Sequence, residues 1–211
     1  GQTHFWQRFP KYSSKFTLAR LGVLPQTSGE TALSSPFRLL SLSSIDRVKH
    51  LELLIEALGN WQGTPIEWHH VGNGRDDAYE HAIKELAERV LKGNERVQYF
   101  FHGFVNPTKV IPILSELRPH ALIDCSFFEG IPVSMMEAAS LGIPLLGGRV
   151  GGVPELLVHE ENGFLFEPGN KSALLEALSK MTQMSEQAYQ SMRKASLSLH
   201  MKRFNALHNY Y

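Results

Sequence analysis

The sequence predicts an α/β protein with a Rossmann-like parallel sheet and helices on both faces. Short apolar runs alternate with longer amphipathic segments, the pattern of parallel strands joined by crossover helices. The chain has 211 residues, of which 43% are hydrophobic, enough to bury one sizeable core. No internal repeat or low-complexity stretch interrupts the alternation. We therefore expect a single domain.

Apolar runs short enough to be strands are spread along most of the chain. In chain order they are 37–42, 66–71, 97–101, 121–125, 144–146 and 163–166. The stretch ahead of them, residues 22–36, is rich in Gly, Ser, Thr and Pro and is predicted to be a loop. We assign residues 1–36 to a connection, a first strand and a loop, and residues 37–184 to the core.

Helical periodicity fills the segments between these runs. Segment 50–61 places Leu51, Leu54 and Leu58 on one amphipathic face. Segment 76–91 aligns Ala82, Leu86 and Val90 in the same way. Further helix candidates are 107–117, 132–141, 154–158 and 171–181. The mostly polar end, 181–211, indicates one or two terminal helices, with residues 185–211 as a C-terminal helical segment.

Composition excludes several classes of function. The 21 basic residues equal the 21 acidic residues, so no electrostatic argument favours a nucleic acid partner. The single cysteine, Cys125, excludes an internal disulfide, and its apolar setting favours a buried structural thiol. No run approaches the roughly 18 apolar residues that a transmembrane helix needs. The first ten residues do not resemble a signal peptide, and a chain that starts at Gly1 is expected to be part of a longer protein.

The loops that follow the strands are the expected place for chemistry. In an open α/β sheet, ligands bind beyond the carboxyl ends of the strands. The loops to consider are 43–49, 72–75, 102–107, 126–132 and 147–153.

The loop 126–132 leads into a helix that we expect to start at Pro132, since proline suits the first helical position. The free N–H groups of residues 133–135 would then form an anion site suited to phosphate. Glu137 follows in the second turn of a helix of small and apolar residues. A buried carboxylate needs donors, which the two hydroxyls of a ribose would supply. The alternative is that Glu137 accepts from a backbone amide or reaches solvent.

Glu129 and Lys49 are the other charged candidates. Glu129 precedes the flexible Gly130 in its loop, and it either serves a ligand or caps the helix that follows. Lys49 stands at a helix start, where a cation opposes the helix dipole unless an anion is bound there. The alternative for Lys49 is a solvated surface lysine, and Asp46 is a candidate cap for the same helix.

Glycines mark two more loops. Gly72 and Gly74 would let the backbone approach a ligand closely, although a third glycine of the dinucleotide fingerprint is missing. The loop 147–153 again brings glycines to a helix start. No HExxH motif or Cys/His cluster indicates a metal site, and none is expected. His69 and His70 lie in a strand pattern and are expected to have packing or surface roles.

Taken together, the loops resemble a known family. The stretch DCSFFEGIPVSMMEAASLGIPLLGGRVGGVPELLVHEENGFLF is similar to the signature block of the retaining glycosyltransferases of family 4. Its two glutamates, Glu129 and Glu137, have the family spacing, and VGGVPE is the family turn. VKHLELLIEAL resembles the family pattern K-G-x-x-x-L-I-E-A, WHHVGNGRDD its G-x-G stretch, and FHGFVN its F-x-G-x-V strand. FNALHNYY resembles the end of surface-polysaccharide members, so the resemblance covers roughly residues 16–211.

The resemblance implies a GT-B enzyme, in which two Rossmann-like domains face each other across a cleft. Residues 1–211 would be the C-terminal half, a single domain that binds the nucleotide-sugar donor. The N-terminal acceptor domain would be absent from this chain. The function implied is transfer of a hexosyl or related sugar from a nucleoside-diphosphate sugar to a glycan or lipid-linked glycan in surface polysaccharide or lipopolysaccharide biosynthesis. The location implied is cytoplasmic, at the inner face of the membrane, with peripheral association and no transmembrane segment.

The resemblance also implies a role for each loop. Lys49 would neutralise the diphosphate, Glu129 would contact the donor sugar, and Glu137 would hold the ribose. The donor-binding residues implied are Ser44, Lys49, Gly72, Gly74, Val105, Asn106, Glu129, Gly130, Ile131, Pro132, Val133 and Glu137. The base would rest near residues 104–106. Retention of configuration would depend on leaving-group stabilisation by Lys49 and the helix N-terminus, with no metal or other cofactor.

One departure from the family matters. An arginine usually stands five residues before the lysine, whereas this chain has Ser44. Arg47 or Arg149 would supply the missing charge, or nothing would. The departure keeps one alternative open, a non-catalytic nucleotide-sugar-binding module. A second alternative is a non-transferase GT-B enzyme such as a nucleotide-sugar epimerase, against which the spacing of Glu129 and Glu137 and the VKHLELLIEAL segment argue.

Overall fold

The computed structural model describes residues 7–15, 20–27, 29 and 31–209. In this part of the chain a six-stranded sheet has the order β3-β2-β1-β4-β5-β6, and all of its neighbouring strands are parallel. The strands are β1 Phe37–Leu42, β2 Ile66–Val71, β3 Val97–Phe101, β4 Ala121–Asp124, β5 Leu145–Gly148 and β6 Gly163–Phe166. The predicted Rossmann-like α/β fold is therefore confirmed.

Helices cover both faces of this sheet. They are α1 Leu51–Gly59, α2 Asp77–Leu91, α3 Val110–Leu117, α4 Val133–Ser140, α5 Val153–Leu156, α6 Lys171–Thr182, α7 Glu186–Arg203 and α8 Ala206–Asn209. Short 3-10 turns span Pro10–Lys15, Arg47–Lys49 and Pro107–Lys109. The apolar faces of α1, α2 and α6 form one core with the sheet, and those of α3, α4 and α5 form a second core on the opposite face.

The strand order places a switch point beside β1. From β1 the chain winds outward through β2 and β3 on one side, and β4 to β6 continue on the other side. Because successive connections leave β1 and β4 in opposite directions, a crevice opens at the carboxyl ends of these two strands. The loops that follow β1 and β4 are therefore the ones that meet at the crevice.

A few boundaries differ from the prediction. The helix expected to begin at Pro132 begins at Val133, because Pro132 has an extended backbone with ψ of 123° and is the N-cap. Strand β4 ends at Asp124, one residue early, and β5 extends to Gly148. The segment predicted as one helix from Pro107 opens with a 3-10 turn before α3.

The ends of the chain are partly outside the described residues. The first strand expected within residues 1–36 is not placed, because residues 16–19 lie outside them, and the described residues 20–27 contribute one β-bridge, from Val23 to Asn205. The last two residues of FNALHNYY also lie outside. Within 185–209 the predicted terminal helices are confirmed as α7 and α8. In the described part of the chain, no helix is both long and apolar enough to span a bilayer.

Candidate functional site

A lysine and a glutamate meet at the switch point. Lys49 lies in the 3-10 turn that follows β1, and Glu129 lies in the loop that follows β4. The ammonium of Lys49 donates a hydrogen bond to Oε1 of Glu129. Their side chains are 22% and 12% exposed, so the pair is largely withdrawn from solvent. The fold thus joins two residues that the sequence singled out separately.

The turn at the end of β4 holds Glu129 in place. Ser126 donates its hydroxyl to Oε1 of Glu129 at 3.0 Å, and its backbone N–H donates to Asp124 at 2.8 Å. Burial raises the pKa of the Asp124 carboxyl. Glu129 is not a helix cap, since Pro132 is the N-cap of α4 and no side chain caps that helix. Asp124 and Ser126 were not predicted, although polar residues that end a buried strand are a usable signal.

The glycine turn after β5 packs directly against the loop that carries Glu129. Gly151 has φ of +47°, and a Cβ at this position would lie 1.7 Å from the carbonyl oxygen of Glu129. The N–H of Gly152 donates to the carbonyl of Gly130 at 2.8 Å. Two glycines are therefore required for the close approach of the two loops, which explains the VGG sequence physically.

The N-terminus of α4 opens beside Glu129. The first hydrogen bond of this helix runs from the N–H of Met136 to the carbonyl of Pro132 at 3.2 Å. The N–H groups of residues 133–135 therefore have no acceptor within the helix. Free amides at such a position, together with the helix dipole, favour an anion. Next to them, Gly130 is exposed, Ile131 packs partly against the core, and Val133 is 46% exposed.

Glu137 lies half-buried in the second turn of α4, at the carboxyl edge of the sheet. Burial raises the pKa of its carboxyl to about 7. Within the described residues no donor hydrogen-bonds to this carboxylate, so the backbone-amide alternative is not seen. A carboxylate that is partly desolvated and has no donor is suited to ligand hydroxyls.

The loops after β2 and β3 are joined to the loop after β1. Gly72 has φ of +135°, its N–H donates to Gly103 at 2.8 Å, and a Cβ would meet the carbonyl of Ser43 at 1.9 Å. The N–H of Gly74 donates to Glu80 at 2.6 Å. Both glycines thus have structural reasons that are independent of a ligand.

The remaining predicted residues lie in the loop after β3. Val105 is partly buried against the second core. Asn106 accepts from the N–H of Thr108 at 3.0 Å and so caps the 3-10 turn, which engages its side-chain oxygen. Phe104 is 70% exposed.

Ser44 and the two candidate arginines lie at the same edge. Ser44 is exposed. The guanidinium of Arg47 lies 4.6 Å from the ring centroid of Tyr79, and Nε of Arg149 lies 3.7 Å from Glu167. Each arginine therefore already contacts another group, and recruiting it to a diphosphate would require it to leave that contact.

Other residues considered in the sequence have structural roles. His69 and His70 are 6% and 0% exposed, so the expected packing role is confirmed. Cys125 is buried, and burial raises the pKa of its thiol, as expected of a structural cysteine. Asp46 accepts from the N–H of Val48 and caps the 3-10 turn ahead of α1.

The doubly wound sheet and the loops at its switch point define a Rossmann-like α/β domain. The chain belongs to the glycosyl transferases group 1 family, whose model matches residues 28–197. The family assignment and the GT-B architecture of its structural neighbours agree with the resemblance noted in the sequence.

Two of the curated relatives are named for the synthesis of polysaccharide or lipopolysaccharide. The amylovoran biosynthesis glycosyltransferase AmsK of Erwinia amylovora is 28% identical over 180 residues, which are 81% of this chain and 43% of the relative. The lipopolysaccharide 1,6-galactosyltransferase of Escherichia coli K12 is 30% identical over 155 residues, 72% of this chain and 40% of the relative. The chain therefore spans about two fifths of the length of these proteins.

Solved structures show the same fold. The apo form of the lipopolysaccharide outer core galactosyltransferase WaaB superposes with a TM-score of 0.77 at 18% identity, over 99% of this chain and 57% of that one. Anabaena Alr3699/HepE in complex with UDP and glucose gives a TM-score of 0.70 at 24% identity, over 82% of this chain and 45% of that one.

Proposed function

We propose that this chain is the donor-binding half of a retaining glycosyltransferase. It would bind a nucleoside-diphosphate sugar, and the complete protein would transfer the sugar to a glycan or lipid-linked glycan in surface polysaccharide synthesis. The observation that carries the proposal is the contact of Lys49 with Glu129 at the switch point. The names of two curated relatives, the amylovoran and lipopolysaccharide glycosyltransferases, support this class of acceptor.

In this proposal Lys49 and Glu129 neutralise each other until the donor arrives. The diphosphate then attracts Lys49, since phosphate oxygens are strong acceptors for an ammonium. Glu129, still oriented by Ser126, would turn its carboxylate to the hydroxyls of the donor sugar. The open amides at the start of α4 and the backbone of Ile131 would share the phosphate charge.

The nucleoside would extend from this point along the carboxyl edge. Glu137 would accept hydrogen bonds from the ribose hydroxyls, which its partial burial and its lack of a donor among the described residues favour. Gly72 and Gly74 would line the cleft, and the base would rest near the exposed ring of Phe104. The leaving nucleotide would be stabilised by Lys49 and the helix N-terminus, so no metal is required for its charge.

The acceptor side belongs to the rest of the protein. Because the chain spans about two fifths of the curated relatives, we place the acceptor-binding domain outside it. The complete enzyme would act in the cytoplasm, at the inner face of the membrane where a lipid-linked acceptor is presented. Catalysis needs groups on both sides of the cleft.

The test is a binding panel with UDP, GDP and ADP, measured by thermal shift and calorimetry. We expect one of the three to raise the melting temperature of the chain, and Lys49→Ala to abolish most of that rise. The matched control is Lys180→Ala, which removes a lysine that pairs with Glu176 in the last turn of α6. Binding of none of the three would overturn the proposal.

A further inference from the structure

His50 adopts a backbone conformation that favours glycine. It lies between the 3-10 turn and α1, with φ of 49° and ψ of 48°, in the left-handed region. A side chain in this region costs roughly 1–2 kcal/mol relative to the right-handed one. A glycine would take the same conformation without this strain. The chain therefore keeps an imidazole at a position where the backbone alone does not favour it.

The imidazole ring of His50 stacks on Phe127. The two ring centroids are 3.9 Å apart and the planes differ by 21°. Phe127 also donates its N–H to the carbonyl of Val48 at 2.9 Å. Both neighbours of Lys49 in sequence thus contact the same residue of the loop after β4.

These contacts lie on both sides of the ion pair between Lys49 and Glu129. Phe127 precedes Glu129 by two residues, and the stack, the backbone bond and the Lys49–Glu129 contact join the tripeptide 48–50 to the tripeptide 127–129. The backbone bond fixes one side of Lys49, and the stack fixes the other. Without the stack, the contact of residue 50 with the loop that carries Glu129 would be lost, while its backbone hydrogen bonds to Arg47 and Leu53 would remain.

The imidazole of His50 is incompletely hydrogen-bonded. Its Nδ1 is buried and has no hydrogen-bond partner among the described residues. A buried polar atom without a partner is destabilising. Burial also lowers the pKa of the imidazole, so the neutral ring is the form that stacks. Strain and an orphaned nitrogen persist where surrounding structure holds them, and such features cluster at functional sites.

We infer that His50 is a positioning residue, whose stack on Phe127 sets the loops of Lys49 and Glu129 at the spacing that the donor diphosphate requires. The inference rests on the proposed function. It predicts that removal of the imidazole has opposite effects on stability and on nucleotide affinity. Glycine removes the strain of the left-handed backbone, which favours stability, whereas the two loops lose their preorganisation, which weakens binding.

The first test compares His50→Gly with wild type. We expect His50→Gly to keep or raise the melting temperature while the best-bound of UDP, GDP and ADP binds about three- to tenfold more weakly, the range of an aromatic pair. His50→Phe should retain affinity, since it keeps the stacked ring. Phe127→Leu should lose affinity as His50→Gly does, and the double variant should lose no more than either single one.

The matched control is Arg118→Gly. Arg118 is also a non-glycine residue in the left-handed region, with φ of 45°, but it is exposed and ends α3 at the opposite edge of the sheet. This variant should gain stability without any change in affinity. Wild-type affinity in His50→Gly, or a weak His50→Phe, would overturn the inference while leaving the proposed function standing. A wild-type chain that binds none of the three nucleotides would overturn both.

Discussion

Lys49 donates its ammonium to the carboxylate of Glu129, a residue eighty positions away, across the crevice between β1 and β4. The contact exists because these two strands are neighbours in the sheet although they are far apart in sequence. It brings the positive and the negative group of the candidate site within reach of the same ligand atoms. The first prediction follows from this pair.

Removal of one partner should cost more stability than removal of both. Lys49→Ala leaves the largely buried carboxylate of Glu129 without its cation, and Glu129→Ala leaves the ammonium without its anion. Each single variant should lose about 1–3 kcal/mol. The double variant should lose less than the sum, because neither group is then left unpaired. Urea unfolding of the four proteins measures the coupling, and additive losses would contradict a specific pair.

Much of the fold could be predicted because its signals are local. The strands β1, β2, β3 and β6 have the bounds that their apolar runs indicated. The boundary of β5 was missed because glycine is depleted in strands. In the structure Gly147 packs closely against the side chains of Met135 and Val153, which a Cβ would approach to 2.8 and 3.1 Å. Pro132 was misplaced by one residue because sequence does not distinguish the cap from the first helical position.

The site was harder to predict than the fold. Lys49, Glu129 and Glu137 were identified singly, but their contacts depend on the strand order and on where each loop places its side chains. Ser126 and His50 were not identified, since a serine after a strand and a histidine before a helix are common. Their roles depend on the pairing of β4 with β1 in the sheet, and no local sequence pattern predicts that pairing.

Gly151 should be intolerant of substitution. In Gly151→Ala the new Cβ would lie 1.7 Å from the carbonyl oxygen of Glu129, and φ of +47° disfavours a side chain. The loss should be at least about 1–2 kcal/mol, the cost of the left-handed conformation alone. Because the clash pushes the Glu129 loop, nucleotide affinity should fall as well. Gly93→Ala is the control, since a Cβ there has open space. Melting curves of both variants test the prediction, and the melting temperature should fall in Gly151→Ala alone.

The isolated chain should bind a nucleoside diphosphate and yet transfer no sugar. Every candidate residue lies on the donor side, and a transferase needs an acceptor held against the donor in near-attack geometry. Radiolabelled donor, a mixture of lipid extracts and the purified 211-residue chain provide the assay. Transfer at a rate above that of Lys49→Ala would show that the chain needs no second domain.

Glu137→Gln should separate a ligand role from a structural one through its pH dependence. Burial raises the pKa of Glu137 from 4.5 to about 7, so the folded state holds more protons than the unfolded state between these values. The stability of wild type therefore falls as the pH rises through this interval, because the unfolded state releases its proton first. Glutamine has no such titration, so its advantage over wild type should be absent below pH 4.5, grow as the pH rises to about 7 and stay constant above that.

The same variant should weaken nucleotide binding at pH 8. Hydrogen bonds from ribose hydroxyls to a charged carboxylate are worth about 1.5–3 kcal/mol, so the affinity should fall roughly tenfold or more. Glu155→Gln is the control, since Glu155 is a glutamate in the short helix α5, and its side chain is exposed. Melting temperature from pH 4 to 9 and calorimetry at pH 8 give both readouts on one protein. A variant with lower stability and unchanged affinity would remove Glu137 from the site, because that outcome identifies a carboxylate that serves the fold alone.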